Sequence, residues 1–286
     1  MNTERNYSAI SPSAKALMLF KAHTQIPFAK QVAKALFTTV EATDSPVKDF
    51  GFWASVVHFE NRYYSINDLV SEVASPSVLE LSSGYNYRGL EFAISSPDIH
   101  YIDTDLPEII NCKKEIASSF GNTFLKGKLN YQALNALDEK HFQSVVDMFD
   151  QQPITIVNEG LLVYLSEEEK NKLCKTIRKQ LVKNGGYWVT SDIYLNHNPG
   201  QVGSDKDKKW DKFFNKQQVN QQMFASFEEA EEFFFNNGFL VDKEYDPDYS
   251  KLSASQHLLN TASPEQMEKL ARSGKIQATW RLKPKE

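Results

Sequence analysis

Ile154-Thr155-Ile156-Val157-Asn158-Glu159-Gly160-Leu161-Leu162-Val163-Tyr164-Leu165-Ser166-Glu167-Glu168-Glu169 settles the fold class, because a buried strand and a crossover helix meet inside it. The apolar run Ile154–Val157 predicts a short strand. Ser166 followed three residues later by Glu169 predicts a helix start in which each residue satisfies the other's amide. Glu159 therefore sits where a strand ends and a crossover begins. In open α/β sheets the ligand crevice lies outside such carboxyl ends. The competing expectation for Glu159 is a solvated loop acid.

Outward from this point, strand-like and helix-like segments alternate. Val78–Leu81 predicts a strand closed by Ser82-Ser83-Gly84, and His100–Asp103 predicts a second. Asp105, with Pro107 and Glu108 behind it, predicts a helix cap. Tyr131–Asn135 is a weaker third strand, and Ile154–Asn158 the fourth. The helix from Ser166 ends at Asn184-Gly185-Gly186, which suits a left-handed C-terminal cap. Tyr187–Asp192 is the fifth strand, and Phe239–Val241 and Ile276–Trp280 are two closing strands with the spacing of a hairpin carrying a long excursion. Ser226 with Glu229, and Ser263-Pro264-Glu265-Gln266, open further helices. Repeated β-α-β alternation predicts an α/β architecture: a seven-stranded, mostly parallel sheet with helices on both faces.

Two regions depart from the alternation. Residues 1–75 predict a helical cap packed over the sheet edge, with Pro27 interrupting the helical pattern from Ala14 to Leu36. Residues 196–222 are polar, with Trp210, Phe213 and Phe214 at helical spacing, and predict an inserted helical lid. Residues 76–195 and 223–286 make the core of a single domain. Lys206, Lys208, Lys209 and Lys212 read as a solvated helix face, with attraction of an acidic substrate as the minority alternative.

The chain of 286 residues is 41% hydrophobic, enough for a sizeable core, and rich in aromatics with Phe 19 and Tyr 12. A net charge of -5 argues against nucleic-acid binding through a broad basic surface. Cys112 and Cys174 make neither a disulfide framework nor a cysteine-rich zinc site, and fit a reducing compartment. The polar N-terminus and the lack of long apolar runs predict a soluble, cytoplasmic protein without a membrane partner. The six histidines, His23, His58, His100, His141, His197 and His257, show no metal spacing, so no metal is expected.

The strand ends form a constellation: Ser82-Ser83-Gly84 after the first, Asp103 on the second, Asn135 after the third and Glu159 after the fourth. Gly84 lets a ligand approach the backbone. Asp103, 19 residues after Gly84, suits both hydroxyls of a ribose. Asn135 suits an adenine edge. A pyrophosphate site wants Gly-x-Gly-x-x-Gly, whereas this chain offers Ser82, Gly84 and Tyr87 in that frame. S-adenosylmethionine carries no phosphate and needs less backbone room. Its carboxylate wants a cation, for which Arg62, Lys15 and Arg88 are candidates, and its amine an acceptor such as Glu159.

The segments Glu80–Arg88, Tyr101–Pro107, Leu134–Asp138 and Glu159–Leu165 together resemble the leucine carboxyl methyltransferase family, which also contains small-molecule O-methyltransferases of polyketide pathways. Order and spacing agree across roughly residues 10–285. The resemblance implies a Rossmann-like class I methyltransferase fold and roles by position. Gly84 matches the glycine against the methionine part of the cofactor, Asp103 the ribose acid, and Asn135 and Ala136 the adenine segment. Glu159 matches the acid near the cofactor amine, Arg62 an arginine on the cofactor carboxylate, and Lys15 an N-terminal helix lysine with the same task, with Lys21 as its rival. The chain carries Ser82 where the family usually has Gly, and Asn135 where it commonly has Asp.

The expected activity is methyl transfer from S-adenosylmethionine, leaving S-adenosylhomocysteine, to an oxygen. The acceptor is a carboxylate or hydroxyl of a small molecule or a protein C-terminus. A carboxylate is already ionised and needs only placement and exclusion of water; a hydroxyl needs a base, and no residue stands out as one. The alternatives are a non-catalytic S-adenosylmethionine-binding protein on the same fold and a nicotinamide-dependent oxidoreductase. The missing glycine-rich turn disfavours the oxidoreductase. Oligomeric state is open.

Overall fold

Alternate residues of each central strand face opposite sides, and helices cover both. The computed structural model describes residues 11–37, 47–121, 124–150, 152–196, 222–272 and 274–286. Seven strands, β1 (Ser77–Leu81), β2 (His100–Asp105), β3 (Lys128–Ala133), β4 (Ile154–Asn158), β5 (Gly186–Tyr194), β6 (Phe239–Glu244) and β7 (Gln277–Pro284), form one sheet in the order β3-β2-β1-β4-β5-β7-β6. The first five are parallel, and β7 runs antiparallel to both β5 and β6. Strand order reverses between β1 and β4, the place where such sheets open a crevice.

On one face, Leu79, Ile102, Ile156 and Trp188 pack with Phe142 of α6 (Glu139–Val146), Leu173, Ile177 and Leu181 of α7 (Glu167–Asn184) and Phe234 of α8 (Phe227–Asn236). On the other, Val78, Tyr101, Val157 and Val189 meet Ile66, Leu69 and Val70 of α3 (Phe50–Val73). Each of these pairs of strand neighbours divides its side chains between the two cores, as the two-residue period of a strand requires. A 24-residue helix within the expected cap, α3, thus lies on the sheet's face. The helices α1 (Ser11–Lys21) and α2 (Ala29–Leu36) stack with α4 (Arg88–Ser95) and α5 (Pro107–Ser118) through Met18, Val32, Leu90, Ile109 and Ile116. The excursion between β6 and β7 carries α9 (Ser255–Thr261) and α10 (Pro264–Arg272).

Local signals shape several ends. Ser166 and Glu169 form a reciprocal capping box on α7, and Gly185 ends that helix at φ 72°. Ser226 caps α8 by accepting the Glu229 amide. The third strand, expected at Tyr131–Asn135, runs over Lys128–Ala133. It is a sheet-edge strand whose residues are at most half-buried, so no continuous apolar run marks it. Asp105 does not cap α5 as expected. The N-cap position is Leu106, without a side-chain bond, and Asp105 is the last residue of β2. Most of the lid expected over 196–222 lies outside the described residues. Among the described residues, no helix is long and apolar enough to cross a membrane.

Candidate functional site

A cavity of about 320 Å³ opens over the C-terminal ends of β1 to β5, within the size range of small-molecule sites. Gly84, Asn135, Ala136, Glu159 and Arg62 all line it, as does Lys21. Asp103 and Lys15 do not.

The carboxylate of Glu159 is the hub. It accepts from Lys21 Nζ at 2.6 Å and Arg88 Nη2 at 2.8 Å, with Arg62 Nη2 at 3.8 Å. Burial alone would raise this carboxyl; Lys21, Arg62 and Arg88 outweigh it and hold it well below the usual carboxylate range. Burial draws Lys21 from 10.5 down to about 8, Glu159 pulling it up and the two arginines adding to the fall. Lys21 also donates to Asn86 Oδ1 at 2.8 Å. Arg88 is fully buried beneath the cavity, engaged by Glu80, Asn67 and Glu159, and is not on its wall.

Lys21, the rival to Lys15, lines the cavity and Lys15 does not, because of helix phase. Ala14, Leu17, Met18 and Lys21 recur at helical spacing on the face of α1 toward the cavity, while Lys15 is exposed.

The Glu159–Leu165 loop is clamped from β5. Asp192 accepts the backbone amides of Gly160, Leu161 and Leu162 at 2.6, 2.7 and 3.0 Å, and Asn158 Nδ2 at 2.7 Å. Gly160 sits at φ 79°, a conformation that calls for glycine, and a Cβ there would lie 3.2 Å from Arg62 Nη2. Arg62 Nη2 lies 3.6 Å from Asp192. Yet Nε and Nη2 of Arg62, both buried, have no hydrogen-bond partner. Buried guanidinium donors without an acceptor at a cavity wall fit an incoming carboxylate.

Asp103, expected at the cavity, lies below it, and Asp105, expected as a helix cap, lines it. They point to the same side of β2, but Asp103 is two residues deeper. There it pairs with Lys113 Nζ at 2.6 Å and accepts the Ser83 hydroxyl, fully buried. Asp105 reaches the cavity, accepting Gly84 N and Leu106 N at 2.7 Å each. Burial raises its carboxyl, against the pull of those amides. Two backbone bonds leave carboxylate lone pairs available to ligand hydroxyls. Lys113 was missed from sequence, although Ile109, Lys113 and Ile116 share a buried helical face, a spacing that signals a lysine needing a partner.

In the first turn, Gly84 has φ 56° and Ser82 φ 51°. Ser82 thus holds the left-handed conformation that suits glycine, at a cost of about 1–2 kcal/mol. Asn135 is exposed on the rim, its Oδ1 accepting Leu137 N at 3.0 Å, beside buried Ala136.

At the end of β5, Tyr194 Oη lies 2.6 Å from His58 Nε2, and both side chains line the cavity. Burial, then Arg62, lowers His58 to about 3, so its ring is neutral. Burial raises the Tyr194 phenol above its usual value. Sequence spacing could not pair two residues from α3 and β5. Among the described residues, no group of three or more His, Cys, Asp or Glu is placed to hold a metal.

No family model and no curated protein sequence matches the chain. Solved structures do. A DUF574 family protein from Streptomyces avermitilis MA-4680 aligns over 95% of this chain and 97% of its own, at 14% identity and TM-score 0.53. A methyltransferase candidate from Thermobifida fusca YX aligns over 94% of both chains, at 16% identity and TM-score 0.51. A LepI variant in complex with SAH and a substrate analogue aligns over 73% of this chain at 10% identity and TM-score 0.43, and the chain spans 43% of its length. With the 3-2-1-4-5-7-6 strand order, the first two likenesses assign the Rossmann-like class I methyltransferase fold.

Proposed function

We propose that this chain is a single-domain, S-adenosylmethionine-dependent O-methyltransferase acting on a small-molecule acceptor, related in kind to the leucine carboxyl methyltransferases it resembles. The observation that carries this is that two buried Arg62 nitrogens, Nε and Nη2, make no hydrogen bond on a cavity wall beside Lys21 and Glu159. Together these offer cations for an amino-acid carboxylate and an acid for its amine. Asp105 would take the ribose hydroxyls, Gly84 would lie along the methionine chain, and Asn135 and Ala136 would flank adenine. The single glycine in the first turn speaks against pyrophosphate.

The bound cofactor supplies an electrophilic methyl group. The chain's part is to hold donor and acceptor in line and to exclude water. The 162–165 segment helps close the site, with Tyr164 Oη donating to Ser13 Oγ at 3.2 Å and so tying the Glu159 loop to α1.

Calorimetric titration with S-adenosylmethionine, S-adenosylhomocysteine and NADH tests this proposal. Binding of the first two is expected, weakened about 10–100-fold in Asp105→Ala by loss of charged hydrogen bonds to the ribose. Binding of NADH alone would overturn it.

A further inference from the structure

We propose that Tyr194 and His58 form a proton relay for the acceptor, and that the acceptor is therefore a neutral, apolar alcohol or phenol. This rests on the methyl-transfer proposal above and specifies its substrate class.

The cavity has two ends. Ser82–Gly84, Asp105 and 134–137 mark one, at the tips of β1, β2 and β3; His58, Phe59, Tyr194 and Met223 mark the other, at the end of β5. In the strand order, β2 and β5 are three spacings apart, or about 14 Å. A nucleoside at the first end leaves the second for the acceptor, with Arg62 and Glu159 between. Arg62 lies 5.5 Å from the Tyr194 ring and 5.8 Å from that of Phe59.

Two features select a neutral acceptor. The walls around the second end carry apolar side chains from Phe59, Val163 and Met223. Among the described lining residues, the cations are Lys21 and Arg62, and both already face Glu159. With both taken up by the cofactor carboxylate as proposed above, none among the described lining residues remains to balance an acceptor carboxylate, whose uncompensated burial is costly. A hydroxyl needs a base instead, and Tyr194, with its Oη 2.6 Å from His58 Nε2 on the cavity wall, is placed to pass a proton on.

The step balances. The acceptor hydroxyl donates to Tyr194 Oη, and Tyr194 donates to His58 Nε2. As an acceptor lone pair forms the new O–C bond, the S–C bond breaks and its electrons stay on sulfur. The acceptor's proton passes to Tyr194 Oη, and the tyrosine's own proton to His58 Nε2. One positive charge leaves the sulfonium while one appears on imidazole, so the net charge facing Arg62 is unchanged. The imidazolium then loses its proton to solvent.

The test compares wild type, Tyr194→Phe and His58→Gln, using phenol, para-nitrophenol and benzoate as acceptors, with S-adenosylhomocysteine binding measured by calorimetry on each. Expected are unchanged S-adenosylhomocysteine affinity, a loss of phenol methylation of about 10²–10⁴-fold in both variants, and a smaller loss with para-nitrophenol, whose more acidic hydroxyl needs less help from a base. Para-nitrophenol titrated into the S-adenosylhomocysteine-loaded protein, where no turnover occurs, should bind about fivefold more weakly in Tyr194→Phe. A uniform loss across all acceptors, or unaltered phenol turnover, would overturn the relay while leaving methyl transfer standing. Preference for benzoate would overturn the acceptor class. Absence of S-adenosylhomocysteine binding in wild type would overturn the methyl-transfer proposal, and the relay with it.

Discussion

Asp103 and Asp105 differ by one strand repeat, and that small separation divides structure from chemistry. Asp103 compensates a fully buried Lys113, and removing one partner of such a pair is strongly destabilising. Asp103→Ala is expected to lower stability by about 3–5 kcal/mol in denaturant titration. Asp105→Ala should instead act on cofactor affinity. Lys21 makes a prediction of a different kind. Its folded value of about 8 lies below the ordinary 10.5. The unfolded chain therefore binds more protons between those values, and folding stability rises with pH through that window. The charge offered to a bound carboxylate is lost over the same range. Affinity for S-adenosylhomocysteine should fall about tenfold as pH rises above about 8, and Lys21→Met should be weaker and flat with pH.

Between elements, caps of two origins hold the helices. The Ser166–Glu169 box of α7 is local, and Ser166→Ala should cost about 1 kcal/mol. The start of α9 has no local cap, because the methyl of Ala254 cannot accept a hydrogen bond. Glu60 supplies it from α3, accepting Ser253 N at 3.0 Å and Ala254 N at 2.9 Å. Glu60→Ala would orphan both amides, and a loss of about 2–4 kcal/mol is expected, measured by chemical denaturation. That substitution also frees the β6–β7 excursion from α3, so the loss should exceed that of Ser166→Ala.

At the scale of the whole molecule, the helices before residue 75 share cores with the sheet. Ile66 and Leu69 pack on β1 and β4 residues, and Met18 and Val32 pack with α4 and α5. One cooperative thermal transition is therefore expected. Because the cavity draws its walls from α1, α3 and the ends of five strands, a ligand there stabilises the entire unit. S-adenosylhomocysteine at a hundred times its Kd adds about 2.7 kcal/mol, which should raise Tm by about 5–10 °C in calorimetry. A separate early transition of the N-terminal helices, unaffected by ligand, would contradict this.

The sequence alone determined what depends on near neighbours along the chain. The order of strands and helices follows from apolar periodicity, the ends of α7 and α8 from Ser166, Gly185 and Ser226, and the absence of a pyrophosphate turn from Ser82 and Tyr87. It also placed Gly84, Arg62, Asn135, Ala136 and Glu159 as candidates, and these share one cavity. Tertiary structure alone decided depth and partnership. Asp103 and Asp105 have the same strand phase, so only the covering Ser83 and Lys113 tell the buried ion pair from the cavity acid. Lys15 and Lys21 both lie on α1, and the helix's orientation against the sheet selects Lys21. The Asp192 clamp and the His58–Tyr194 contact join residues 30 to 136 positions apart. No local pattern encodes such distances, because they arise only when β4 pairs with β5 and α3 packs onto the sheet.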